Sequence, residues 1–580
     1  MAHADTLMNE VGPGDRVNCL APTRLMAAGR KSECQPDVVR KIQRIEDRSD
    51  KCYRELALLE LPWNKAVWAA LTDSIGLIER SVPSQLYGSR HHINAATNAS
   101  FVAAQLYKFA RQYGRDQTLN WASFTWSPRL SAQCKHAFEV AMGYNTFCVV
   151  FPYWHADKYA GELIDDYTVR FVSNASLLGR RINAYQQGIR PVTLKEDNAR
   201  GMETTPTLHQ MFNRSVVKAQ RTSRYGVMFS ELRDLWEALY AAHEKRTIAM
   251  SRRYPDILIG GYSLDDFRKF YSAMNAMAAA HEFLCYLWSR ENGLPFDSLL
   301  LFDHRFHWVR NLARLASLSQ EQVYAMLKDV TFGRVYAVNF HLLPFVPLKA
   351  DGSVLALAPY CSLSSNWEEN ILGCLARIDS DSYSMSSISK EEEMRKPLVA
   401  LTSGTRLMSG GHKLPSPLPD IDLLVEDIAA NVLLIGELKW SRKPSGQRER
   451  DVRDKEVLKG FSQIEKIGTF LQENPRYLLD RSHVTQDMSR YEIVHYCVVA
   501  RDHLVEPPTG AVPLYSYDSF LMEFTNCQNT VASLRSLERL DWLPTEGVDF
   551  SIRFERHNAG GAAVESEIYY PRGGPLAIAR

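Results

Sequence analysis

Pro419-Asp420-Ile421-Asp422-Leu423-Leu424-Val425 and, shortly after it, Val432-Leu433-Leu434-Ile435-Gly436-Glu437-Leu438-Lys439-Trp440 decide how the C-terminal third of this chain is read. Each contains an apolar run of strand length. The segment between them, Asp427-Ile428-Ala429-Ala430-Asn431, can turn the chain, so the pair predicts a β-hairpin. Side chains two apart on a strand share a face. Glu437 and Lys439 therefore lie together, with Leu438 between them pointing into the core. Asp420 and Asp422 likewise share a face, and pairing brings Asp422 close to Glu437 at one end of the hairpin.

Two carboxylates a few ångströms apart repel, and both stay ionised only with a cation between them. Oxygen ligands select a hard ion such as Mg²⁺ or Mn²⁺. Such an ion polarises a phosphoryl oxygen and acidifies bound water, while a lysine orients the water or offsets charge growing on the phosphorane. Acid, acid and lysine in this spacing point to hydrolysis of a phosphodiester. Asp422 directly precedes the hydrophobic strand and fits the ligand position better than Asp420.

The pattern Pro419-Asp420-(x)-Asp422 … Glu437-Leu438-Lys439 resembles that of the PD-(D/E)XK nuclease superfamily, over roughly residues 362–505. The resemblance implies a restriction-endonuclease-like α-β-β-β-α-β core. It also implies a glutamate on the helix before the first strand. Asn366–Ile378 is one candidate helix, with Glu368 favoured and Glu369 next to it. A second, Ser389–Leu398, carries Glu391, Glu392 and Glu393. Thr402–Lys413 fits the first strand, a helix from about Asp454 to Gln472 follows the lysine strand, and Tyr491–Ala500 closes the sheet. Gln463 on that helix matches the glutamine of RecB-like members, but Ile467 stands where those carry tyrosine. The resemblance further implies Asp422, Glu437 and the Leu438 carbonyl as ligands of Mg²⁺ or Mn²⁺, with Lys439 positioning the water. It implies a nuclease, with DNA as the expected substrate and bacterial defence or DNA processing as the setting. The alternative is a catalytically silent nuclease-like subunit that binds nucleic acid or protein.

The remaining sequence bounds this reading. The chain has 580 residues, 45% hydrophobic, enough for several domains with sizeable cores. Its net charge of +1 gives no global polyanion signal, so nucleic-acid contact must come from a local patch. Arg442, Lys443, Arg448, Arg450, Arg453, Lys455 and Lys459 form one, diluted by acids. Ten dispersed cysteines without a C-x-x-C pair fit a reducing cytoplasm and argue against a structural zinc site. No signal peptide or membrane span is evident. No P-loop, H-E-x-x-H or G-x-S-x-G motif appears.

The expected division is a loose arm over 1–35, a mainly helical region over 36–345, the nuclease-like domain over 346–530 and an extension over 531–580. Ser263 and Ser319 mark helix starts by their capping patterns. Thr146–Trp154 reads as a buried strand. Asp351-Gly352 between apolar runs reads as a hairpin turn, and the serine-rich stretch 380–389 as a joint between helices. The N-terminal region names no chemistry; a substrate-recognition module, a partner platform and an oligomerisation unit all fit it.

Overall fold

The computed structural model describes residues 36–572, apart from 82–89, 116–123, 190, 192–205, 223–225, 231, 251–257, 260, 334–342, 358–366, 368–370, 372–379, 442, 443, 445 and 446. The expected arm over 1–35 lies outside the described residues, as do Glu368 and Glu369.

The chain opens with helices α1 (Pro36–Ser49), α2 (Trp63–Ser81), α3 (Arg90–Tyr113) and α4 (Pro128–His155), then strands β1 (Tyr159–Leu163) and β2 (Thr168–Ser173). After α5 (Leu177–Gln186) and α6 (Pro206–Val217) come β3 (Gln220–Thr222), β4 (Gly226–Met228), α7 (Leu232–Met250), β5 (Leu258–Ile259), β6 (Tyr262–Ser263) and α8 (Leu264–Asn292). Next are β7 (Phe302–His304), α9 (Arg305–Ala316), α10 (Gln320–Asp329), β8 (Phe345–Pro347) and β9 (Val354–Leu357). The C-terminal part holds α11 (Ser380–Val399), β10 (Arg406–Ser409), β11 (Leu423–Asp427), β12 (Val432–Trp440), α12 (Gln447–Glu473), α13 (Tyr477–Asp480) and β13 (Ile493–Arg501). It ends with β14 (Leu514–Ser516), α14 (Tyr517–Asn526), α15 (Thr530–Glu538), β15 (Phe550–Ala559) and β16 (Ala562–Pro571). The protein is a mixed α/β chain, and no described helix is long and apolar enough to cross a membrane.

The capping signals hold. Ser263 and Ser319 each accept the backbone N–H three residues on, and Asp266 and Gln322 return the bond, so two orphan donors are satisfied at each start. The β8–β9 turn places Gly352 at φ +63°, a conformation glycine adopts without steric cost.

Thr146–Trp154 is not a strand. It is the last part of α4, whose start is capped by Ser127 accepting from the Leu130 N–H. Phe147, Val150 and Phe151 are buried at helical spacing while Val149 is exposed. Burial of one helical face outweighs the β-propensity of the branched and aromatic residues. The stretch 380–389 is likewise no joint but the first half of α11.

Strand pairing also redraws the expected division. The β8–β9 hairpin pairs with β7, so residues 345–357 belong with the helices before them. The final hairpin is no separate extension. β16 runs parallel to β2, and β1-β2-β16-β15 form one sheet packed beneath α4.

The five-stranded sheet has the order β10-β11-β12-β13-β14. β10, β11 and β12 are antiparallel neighbours, and β13 returns parallel to β12 through α12. The order α-β-β-β-α-β is therefore present, with β14 added parallel at the edge. Val432–Ile435 and Val498–Val499 are fully buried. α12 covers one face, with Gly460 against Lys439 and Val498 and Gly468 against Tyr496. α11 covers the other, with Lys390 over the Trp440 ring and the Met394 carbonyl accepting from the Tyr517 hydroxyl.

Candidate active site

The hairpin turns as its residues allow. Asp427 Oδ1 accepts the Ala430 N–H at 3.0 Å, and Asn431 takes a left-handed conformation at φ 56°, which a short polar side chain tolerates. The turn fixes the register Asp427↔Val432 through Leu423↔Gly436. One step further, Asp422 faces Glu437. Leu438 is buried in the core between Glu437 and Lys439, as the alternation requires.

Asp422 Oδ2 accepts the Leu438 N–H at 3.0 Å. An extended residue sends its N–H and C=O toward the same neighbouring strand, so the Leu438 carbonyl leaves on the Asp422 side. Lys439 Nζ lies 2.5 Å from Glu437 Oε1 and 3.9 Å from Glu391 Oε1 on α11. Asp420 is exposed, and Asp422 is the aspartate in contact with the other groups.

The electrostatics are those of crowded acids. Burial pushes the Glu437 carboxyl up to about 8, against the pull of Lys439 and with the push of Asp422. Burial also raises Asp422, opposed by Lys439 and the Leu438 N–H. Glu391 is raised by burial too. Lys439 stays charged to higher pH than usual: burial alone would depress it, but Glu437 and Glu391 outweigh that cost. Burial thus favours the protonated form of both carboxyls.

Two groups singled out in the sequence stand differently. The glutamate that α11 delivers is Glu391, whereas Glu368 lies outside the described residues. Glu391 flanks the buried Lys390–Met394–Leu398 stripe of α11; Glu393, on the outer side, pairs with Lys396 at 2.7 Å. Gln463 is one turn beyond Gly460 on α12. Its buried Oε1 has no hydrogen-bond partner among the described residues, and no contact with the acids is formed.

Two members of the basic cluster after Lys439 are committed to contacts within the chain. Arg450 bonds the Tyr153 hydroxyl and Gln186, and Arg453 pairs with Glu456. Its diluting acids Asp451 and Asp454 both pair with Lys158. Lys455 and Lys459 are exposed, while Arg442 and Lys443 lie outside the described residues. His307 meets Asp303 at 2.8 Å and His155 meets Glu46 at 3.2 Å.

The donor set fits a hard divalent cation. Among the described residues no three His, Cys, Asp or Glu side chains cluster as a ready-made site. Two facing carboxylates and a backbone carbonyl nonetheless supply oxygen ligands. Glu437 Oε2 is buried with no hydrogen-bond partner among the described residues, and burial raises the Glu437 carboxyl. The buried Glu426, on the same strand face, also leaves its Oε2 without a partner among the described residues, while its Oε1 accepts from the Thr485 N–H, the Thr485 hydroxyl and the Tyr491 hydroxyl.

Sequence reasoning missed Arg395, one turn beyond Glu391 on α11, and Gly460. Arg395 stands four residues after Glu391, the spacing of helical neighbours. A side chain at Gly460 would meet Lys439 Cγ at 3.1 Å and Cε at 3.2 Å, so this glycine lets α12 approach the lysine stem. Compared with protein-family models, curated proteins and solved structures, the chain matches none.

Proposed function

We propose that the protein is a metal-dependent nuclease of the PD-(D/E)XK type, hydrolysing phosphodiester bonds, with DNA as the expected substrate. The observation that carries the reading is the facing Asp422–Glu437 pair, with Lys439 2.5 Å from Glu437 and Asp422 accepting the Leu438 N–H. The α-β-β-β-α-β order around it and Glu391 on the leading helix add to that support.

Asp422, Glu437 and the Leu438 carbonyl would hold Mg²⁺ or Mn²⁺. When bound, the ion supplies Lewis-acid polarisation of the phosphoryl oxygen and a more acidic water. Lys439, which meets Glu437 at 2.5 Å, would orient the water and offset phosphorane charge. Glu391 keeps the ammonium near this position.

The test is incubation of the full chain with single- and double-stranded DNA and with RNA in Mg²⁺ or Mn²⁺. Lys439→Ala is expected to lower cleavage by about 10²–10⁴-fold while Mn²⁺ still binds, the range for losing a positioned catalytic group. A wild type that binds neither ion and cuts none of these substrates would overturn the proposal.

A further inference from the structure

Arg395 and Lys459 flank the acid site from two different helices. Arg395 on α11 lies across the Gly410–Gly411 turn. A Cβ on Gly410 would meet Arg395 Cδ at 2.6 Å and also run into the Asp422 carbonyl, and one on Gly411 would meet Nη1 at 2.5 Å. The missing side chains thus make the groove that brings the arginine stem beside Asp422. Its charge acts on both Asp422 and Glu391. Lys459, exposed on α12, directly precedes Gly460, which packs against the Lys439 stem, and its charge also acts on Glu391. Neither cation forms a hydrogen bond or a close ion pair with the described residues.

Charge counting indicates what these cations are for. Asp422, Glu437 and Glu391 carry three negative charges when ionised. Lys439 and a divalent ion cancel them, which leaves Arg395 and Lys459 uncompensated. A nucleic-acid strand crossing the site brings one negative charge per phosphate. A guanidinium already held in a groove loses less rotamer freedom on binding, and its planar fork matches two phosphate oxygens.

We propose that Arg395 and Lys459 are a two-point anchor for the phosphates flanking the scissile bond, which sets the strand across Asp422, Glu437 and Lys439. The inference rests on the nuclease reading for the identity of the bond, but its test does not require cleavage. Arg395→Gln, Lys459→Gln and Arg395→Lys in the full chain are compared with wild type, all carrying Lys439→Ala to prevent turnover. Binding of a short labelled DNA is followed by fluorescence anisotropy across a salt series, and Mn²⁺ binding is measured on the same proteins.

Arg395→Gln is expected to weaken DNA binding about 10- to 100-fold, the range for a hydrogen bond to a charged group. It should flatten the salt slope by about one phosphate contact and leave Mn²⁺ binding intact or tighter. Arg395→Lys should keep the slope and lose part of the affinity. Lys459→Gln, on an exposed helical position where folding is not at risk, should flatten the slope in the same way. If DNA affinity stays within about twofold of the parent for both Gln variants while only Mn²⁺ binding changes, the two cations merely offset the acids, and the anchor is refuted. A parent protein that binds no DNA refutes it too. The two readings separate cleanly. DNA binding that depends on Arg395, in a protein that never cleaves with Lys439 intact, keeps the anchor and removes the nuclease. Cleavage with a KM indifferent to Arg395→Gln does the reverse.

Discussion

If Asp422 and Glu437 hold a divalent cation as proposed, the burial that raises both carboxyls makes its binding pH-dependent with a definite sign. Glu437 is pushed up to about 8 by burial, so below that value it holds a proton that a divalent cation must displace. Each pH unit between about 6 and 8 should therefore tighten Mn²⁺ binding about tenfold, or ~1.4 kcal/mol, and the gain should level off above about 8. The same shift acts on the metal-free fold. A carboxyl raised in the folded state contributes stability that is complete below its unfolded value of 4.5 and is lost as pH rises through about 8. Metal-free protein should melt at falling temperatures across that window, and Mn²⁺ should restore more stability at its alkaline end. Titration calorimetry in buffers of different ionisation enthalpy counts the protons released, and Glu437→Gln should remove both the release and the slope. A Mn²⁺ affinity that is flat from pH 6 to 8, with no proton released, would refute the argument from the raised carboxyls.

Two further outcomes test the placement of single residues. Glu391→Gln should lower cleavage about fivefold, near the ~1 kcal/mol of a half-exposed ion pair, and Glu368→Gln should leave it unchanged; the reverse order in a rate assay would return the helical acid to the residue favoured from sequence. Leu438→Ala should cost about 2–5 kcal/mol in chemical or thermal unfolding, since its side chain is fully buried in the sheet core. A loss near zero would mean that the strand's alternation is shifted by one.

The site was legible where chemistry and local geometry coincide. Period-two alternation alone places Glu437 with Lys439, and a five-residue turn alone sets Asp422 opposite Glu437. The choice of Asp422 over Asp420 followed from where the apolar run begins. For the helical acid two segments offered glutamates; Glu368 and Glu369 lie outside the described residues, and packing of α11 against Trp440 and Tyr517 brings Glu391 to 3.9 Å from Lys439, which no local pattern announces. Arg395 was invisible for a related reason: its place depends on a glycine pair some fifteen residues away in sequence, and no periodicity links them. The misreading of Thr146–Trp154 shows the converse. Local composition favours a strand, but the capped start at Ser127 and the buried face Phe147–Val150–Phe151 are supplied by the rest of α4 and its neighbours.

The parallel pairing of β2 with β16 has a consequence for synthesis. Arg170 meets Glu565 across 395 residues of sequence, so the strand that pairs with the free edge of β2 does not exist when the ribosome releases it, although Phe151 of α4 is already there to pack on Phe171. At about 5–20 residues per second, the gap is some 20–80 s. For that interval the β1–β2 hairpin has one strand edge unpaired, and an unpaired edge is open to pairing with other chains until the distal hairpin closes it.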